Sequence, residues 1–210
     1  MVLATRNPGK LREIRQVLGG LSLELAGLDQ RPCLPEPAEE GATFAENARH
    51  KALYYARALG ECCLADDSGL EVDALGGAPG VRSARYAEDD CPRGAGRTQI
   101  DAANNAKLLA ALAAVPAERR TARFVCHVVL ADPEGVLLEA RDTIEGRIGF
   151  EPKGSNGFGY DPLFYVPELG CTTAELDPQR KNLLSHRGKA LRRLAGMMTG
   201  TARSPNQREI

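Results

Sequence analysis

Tryptophan is missing from this 210-residue chain and aromatic residues make up only 5% of it, so any core must be built mainly from aliphatic side chains. Net charge is nearly missing as well. Lys plus Arg total 27 against 28 for Asp plus Glu, a formal charge of −1, and a protein that lives on a nucleic-acid backbone needs a large basic excess. No stretch approaches the roughly 18 consecutive apolar residues of a membrane span. The start, Met1-Val2-Leu3-Ala4 followed by polar Thr5-Arg6-Asn7, offers no apolar signal segment. A cytoplasmic location with neither membrane nor nucleic-acid partners is therefore expected. Six cysteines (33, 62, 63, 91, 126 and 171) form no Cys-x-x-Cys pair and three histidines (50, 127 and 186) are dispersed. That argues against a disulfide scaffold or a zinc site and for reduced cysteines acting as small core residues.

What is present is an ordinary globular composition, 43% hydrophobic and 26% charged. The expectation is one unit over residues 1–198 and a polar, flexible tail over 199–210. Val2 to Ala4 reads as a buried strand, and Leu11, Ile14, Val17 and Leu18 recur at helical spacing from Lys10 until Gly19-Gly20. Leu21, Leu23 and Leu25 alternate with polar residues, the period of a strand. Thr43-Phe44-Ala45-Glu46 has the form of a capping box opening a helix that Gly60 stops. Cys62 to Ala65 reads as a buried strand opening into a polar loop at Asp66, and the polar stretch Glu88 to Arg97 reads as a mobile excursion. A helix is expected from Thr98 to Ala114. Two β-rich segments, 123–131 and 136–148, flank the hairpin-like turn Asp132-Pro133-Glu134-Gly135. Ser185 is placed to cap a last helix carrying Ala190, Leu191, Leu194 and Met198 on one face. The fold class is α/β.

Four places could carry chemistry. Thr5-Arg6-Asn7-Pro8-Gly9-Lys10 joins a strand to a helix, where backbone N–H groups and the helix dipole favour an anion, although the spacing is not that of a P-loop. Asp66-Asp67-Ser68-Gly69 sets two adjacent carboxylates at a strand end; neighbours on a strand point to opposite faces, so one of the two faces a given ligand. As solvated loop aspartates they would need no metal; with Glu39 they could hold magnesium. Lys153-Gly154-Ser155-Asn156-Gly157-Phe158-Gly159-Tyr160-Asp161 mixes glycines, rings and a carboxylate, which suits a clamp on a flat heterocycle or, equally, a turn into a buried strand. Lys181 and Ser185-His186-Arg187 gather cations at an expected helix start, against the dipole, which favours an anionic or acceptor-rich ligand.

Taken together the blocks resemble the RdgB/HAM1 family of inosine triphosphate pyrophosphatases. They run in family order over Val2 to Ala195: Thr-x-Asn-x-x-Lys from Thr5, Gly-x-Thr-Phe-x-Glu-Asn-Ala from Gly41, Asp-Asp-Ser-Gly from Asp66, Gly-Gly-x-Pro-Gly-x-x-Ser-Ala-Arg-Tyr from Gly76, Gly-Phe-Gly-Tyr-Asp-Pro from Gly157 and Ser-His-Arg from Ser185. The resemblance implies hydrolysis of ITP, dITP, XTP and dXTP to the monophosphate and pyrophosphate, clearing deaminated purines from the nucleotide pool. It also implies an elongated mixed sheet with flanking helices, two lobes around a central cleft, and a homodimer. By motif position, Thr5, Arg6, Asn7, Pro8, Gly9, Lys10 and Lys51 would meet the triphosphate. Asp67, with Asp66 beside it, would be catalytic, and Asp67 with Glu39 would hold Mg²⁺. Ser68, Lys153, Phe158, Gly159, Tyr160, Asp161, Lys181, His186 and Arg187 would hold the rest of the nucleotide. Which aspartate is the base stays open, and the 88–97 segment matches no block.

That chemistry suits the residue types, because a densely charged triphosphate needs a cation to neutralise it and a carboxylate to orient or deprotonate water. Hypoxanthine and xanthine carry an acceptor oxygen at purine position six where adenine carries a donor amino group, so donors in the base pocket separate them; the exclusion of guanine is not legible. Two alternatives remain open: a Maf-like pyrophosphatase acting on modified or pyrimidine nucleotides, and a non-catalytic nucleotide sensor. The purine-pocket blocks argue against the first and the trio Glu39, Asp66 and Asp67 against the second.

Overall fold

A computed structural model describes residues 1–200. Seven strands form one mixed sheet in the order β2-β1-β3-β4-β5-β6-β7. The short β1 (Val2–Leu3) runs parallel to β2 (Ala26–Gly27) and to β3 (Cys63–Val72), while β4 (Thr121–Ala131), β5 (Val136–Ile148), β6 (Phe164–Val166) and β7 (Cys171–Thr172) continue the sheet antiparallel. The β4–β5 hairpin closes as expected over Asp132 to Gly135, where the Asp132 carboxylate accepts the N–H groups of Glu134 and Gly135, both at 2.9 Å.

Three apolar clusters organise the helices. Helix α2 (Phe44–Leu59) lays Ala48, Ala52, Tyr55 and Ala56 on Ala65 and Val129 of one sheet face. Helices α1 (Pro8–Leu18) and α5 (His186–Met198) cover Leu64, Cys126, Val128 and Leu130 on the other. Beyond them, α3 (Arg97–Ala111) packs Leu108 against Leu70, Phe124, Ile144, Tyr160 and Phe164. The long strands β3, β4 and β5 run through both ends, and a cleft opens between them.

Several expectations are corrected. Residues 21–25 form no strand: Leu21 and Leu25 both pack on the α1–α5 cluster while Leu23 is exposed, so the alternation reflects a loop pinned at two points, and only Ala26–Gly27 pairs with β1. Strand β3 does not end at Ala65. It continues through Asp66-Asp67-Ser68-Gly69 to Val72, every residue registered against β4, because buried partners satisfy the carboxylates without a loop. In the 88–97 segment, surface ion pairs join Lys107 to Asp90 at 2.8 Å and Arg82 to Asp89 at 3.7 Å. Helix α3 stops at Ala111, and its last turn tightens into the chain reversal before Pro116.

The N-terminal caps explain the helix starts. Thr43 Oγ1 accepts the Glu46 N–H at 3.2 Å, while the Glu46 carboxylate reaches back to Ala42 rather than Thr43. A helix missed in the sequence, α4 (Pro178–Leu184), is capped by Asp177, and Ser185 ends it while capping α5. Residues 201–210, most of the expected tail, lie outside the described residues.

Candidate active site

A cavity of about 370 Å³ lies between the two ends of the sheet. Its walls include Thr5, Arg6, Asn7, Pro8 and Lys10 from the β1–α1 junction, Glu39, Lys51, Asp67 and Ser68 at its floor, and Phe158, Gly159, Tyr160, Asp161, Lys181, His186 and Arg187 on the far side. Of the site residues expected from sequence, Gly9, Asp66 and Lys153 do not line it. Lys153 is exposed and lies 3.4 Å from Glu151, so the structure does not bring it to the cleft. Gly9 packs behind the wall, where a Cβ would overlap the Phe158 ring.

The β1–α1 turn corrects a second expectation. Asn7 caps α1, and its Oδ1 accepts the N–H groups of Gly9 at 2.9 Å and Lys10 at 3.3 Å; Pro8 has no N–H to offer. The first-turn donors are thus consumed within the chain, and side chains are left to meet an anion. Lys10 Nζ donates to the Asp66 carbonyl at 3.4 Å and forms an ion pair with Asp66 Oδ1 at 3.1 Å, while the side chain lines the cleft.

Asp66 and Asp67 are neighbours on a strand and point to opposite faces. Asp66 is 1% exposed and turns toward α1 and α5, where its Oδ2 accepts from Arg187 Nε at 2.9 Å and Ser68 Oγ at 3.1 Å. Burial alone would raise its pKa, but Lys10 and Arg187 outweigh burial and hold the carboxyl far below the usual range. Asp67 turns toward α2 and the cleft. Its Oδ2 accepts from Asn47 Nδ2 at 3.0 Å, and Asn47 Oδ1 in turn takes the Gly41 N–H at 2.8 Å. Burial raises the Asp67 pKa, Lys10 opposes, the Glu39 charge adds to the rise, and the net shift is upward.

Glu39 arrives from the loop carrying Pro32, Pro35 and Pro37 and pairs with Lys51 Nζ and with Arg85, whose Nη1 and Nη2 reach its carboxylate and carbonyl at 3.2 and 2.7 Å. Burial opposes ionisation of Glu39, but Lys51, Lys10 and Arg85 hold its pKa below the ordinary value. Among the described residues no cluster of three or more His, Cys, Asp or Glu side chains is placed to hold a metal. Asp67 and Glu39 both line the cavity and are hard-oxygen donors of the type that could hold a magnesium ion, with Glu39 also engaged by Lys51 and Arg85. The Glu39 charge that burdens Asp67 is the repulsion a divalent cation would relieve.

On the far side, burial first and then the Arg187 and Lys181 charges press the His186 pKa well below 6.5, so its ring is neutral. The ring stacks on Phe124 at 4.9 Å, and its buried Nδ1 has no hydrogen-bond partner among the described residues. Ser185 takes up the Gly188 and Lys189 N–H groups through its hydroxyl and carbonyl, leaving those of His186 and Arg187 without a partner among the described residues at the start of α5. The cation cluster expected to face an anion is internally neutralised: Arg187 binds Asp66, Glu13 and Ser68 Oγ, and Lys181 binds Asp161 at 2.5 Å and Glu13 at 3.0 Å. Lys181 also lies in the last turn of α4, where the dipole favours a cation, not at a helix start. Both cations sit near the Phe158 ring, at 5.0 and 5.6 Å from its centroid.

Sequence reasoning missed Glu13, Asn47 and Arg85. Glu13 lies one helical turn after Lys10, a spacing that puts both on one face of α1, but nothing local says that its partners come from α4 and α5.

The sequence model of the Ham1 family matches residues 1–197. A dITP/XTP pyrophosphatase of Exiguobacterium sibiricum is 52% identical over 95% of this chain and 96% of its own length, and one of Nitratidesulfovibrio vulgaris is 54% identical over 92% and 93%. Among solved structures, a HAM1 protein from Coxiella burnetii superposes with a TM-score of 0.83 at 43% identity, covering 95% of this chain and 98% of that one.

Proposed function

This chain belongs to the Ham1 family, and from that we propose that it hydrolyses deaminated purine nucleoside triphosphates (ITP, dITP, XTP and dXTP) to the monophosphate and pyrophosphate. The observation that carries the reading is one cavity of about 370 Å³ lined by Asp67 and Glu39 together with Phe158, His186 and Arg187, a volume suited to a nucleotide.

Lys10, Lys51, Thr5 and Arg6 bind and orient the phosphates. Asp67 and Glu39 would hold Mg²⁺, which supplies charge neutralisation at the phosphate oxygens. Asp67 accepts a proton from the attacking water: its carboxylate is the one turned to the cleft, and its raised pKa brings it nearer the working range of a general base. Asp66 acts at second hand, holding Lys10 and Arg187 in place.

The purine stacks on Phe158. The N–H groups of His186 and Arg187 meet the acceptor oxygen at position six, and the same donors face the amino group of adenine unpaired. Neutral His186 adds an adaptable ring nitrogen at Nδ1. A cytoplasmic homodimer completes the reading, and light scattering tests the dimer. No described helix is long and apolar enough to cross a membrane.

The test is product identity. With Mg²⁺, ITP should give pyrophosphate and IMP, and EDTA should stop the reaction. Orthophosphate as the first product would contradict cleavage between the α and β phosphates.

A further inference from the structure

Helix α3 carries no residue from the sequence blocks assigned a role, yet one of its faces grips the base-side loop. Asp101 Oδ2 accepts the Gly159 N–H at 3.0 Å, and Asn105 Nδ2 donates to the Gly159 carbonyl at 2.9 Å. Both peptide groups flanking one residue are thus held by side chains one helical turn apart. Asn104, on the same face, donates to the carbonyls of Ser83 and Ala84 at 3.3 and 3.4 Å, and the Tyr160 hydroxyl donates to that Ser83 carbonyl at 2.9 Å. The helix therefore braces two walls of the cleft, because Ala84 and Gly159 both line it.

The loop needs such a brace. Gly154, Gly157 and Gly159 all take left-handed backbone conformations, with φ of 80°, 79° and 63°, and a glycine-rich segment has many alternatives to the one that presents Phe158. Arg97, at the cleft rim, forms an ion pair with Asp101 Oδ1 at 3.0 Å, one helical turn before it.

We propose that Asp101 and Asn105 are positioning residues for the purine: by fixing both peptide groups of Gly159 they hold the Phe158 ring where the base stacks. This rests on the function proposed above and extends it to residues that never touch the substrate.

The test compares wild type with Asp101→Ala, Asn105→Ala and Asp101→Asn, measuring kcat and KM for ITP together with thermal unfolding. Asp101→Ala should raise KM about tenfold, the fold-change of one lost hydrogen bond to a charged group, with kcat within about twofold of wild type. Asn105→Ala should move KM the same way by less. Asp101→Asn keeps an acceptor for the Gly159 N–H and should restore most of the KM. An unchanged KM in Asp101→Ala, a loss confined to kcat, or a lowered Tm with wild-type kinetics would each overturn the role, as would equal defects in the Ala and Asn variants. Should Asp101→Ala fail to fold, Asn105→Ala decides by the same criterion. Wild type that releases no pyrophosphate from ITP overturns the function and this role together; active wild type with unchanged variants overturns the role alone.

Discussion

Asp66→Asn and Asp67→Asn are isosteric changes at adjacent positions of one strand, and they should have opposite consequences. Asp66 is the anion shared by Lys10 and Arg187 in a buried cluster, with Glu13 pairing Arg187 as well. Removing one partner of such a cluster typically costs about 3–5 kcal/mol, because the cations stay buried. Glu13 still faces Arg187, so the lower end, about 3 kcal/mol, applies here. For a chain of this length roughly 2–4 °C is lost per kcal/mol, which gives a Tm lower by about 10 °C. Asp67 carries no such burden: burial and Glu39 disfavour its charge, so the amide should leave Tm unchanged or slightly raised while Asn47 keeps an acceptor. Turnover of Asp67→Asn should fall by about 10²–10⁴, the usual contribution of a general base. Thermal unfolding by circular dichroism and pyrophosphate release on the same samples decide the matter. Equal losses of Tm in the two variants, or near-normal turnover in Asp67→Asn, would refute the division of labour. The sign with pH follows too. Asp66 has a folded pKa below its unfolded value, so its contribution is fully present above the ordinary carboxylate range and disappears as pH falls through and below it. Asp66→Asn should flatten that acid limb of the stability curve.

Lys10→Ala should raise KM for ITP by about tenfold, since it removes an ammonium that reaches the cleft; an unchanged KM from steady-state kinetics would remove Lys10 from triphosphate binding. His186 is held neutral, so it should introduce no inflection in KM for ITP between about pH 6 and 8; a histidine-like titration that disappears in His186→Leu would contradict the neutral ring. Gly188→Ala should destabilise by roughly 2–3 kcal/mol or prevent folding, because a Cβ there would overlap the Asn182 carbonyl where α5 leaves α4. Urea midpoints check it, and a wild-type midpoint would mean that the α4–α5 elbow yields freely.

Local signals were the legible ones. Thr43 and Ser185 as caps, Gly60 as a stop and Asp132 to Gly135 as a hairpin turn are readable because each acts within a few residues of itself. The site blocks were legible as residue types, and most of them meet in one cavity. Their pairing was not. That β3 continues through two aspartates depends on Arg187 and Lys10, 121 and 56 residues away, which turn an apparent loop into a buried strand. For the same reason Arg187 looked like a cation awaiting a ligand when its charge is satisfied by Asp66 and Glu13. The Asn7 cap also changed the phosphate argument, since a residue expected to bind an anion instead occupies the helix donors that would have done so. Gly159 carries no local mark of its two partners on α3.

The central claim is that the cleft selects purines bearing an oxygen at position six and cleaves them to pyrophosphate. Its most direct test is kcat/KM for pyrophosphate release from ITP, XTP, GTP, ATP and dTTP, measured side by side with Mg²⁺. ITP and XTP should exceed ATP by at least about a hundredfold, the scale set by leaving buried donors unpaired. Equal values for ITP and ATP, or faster turnover of dTTP than of ITP, would contradict it.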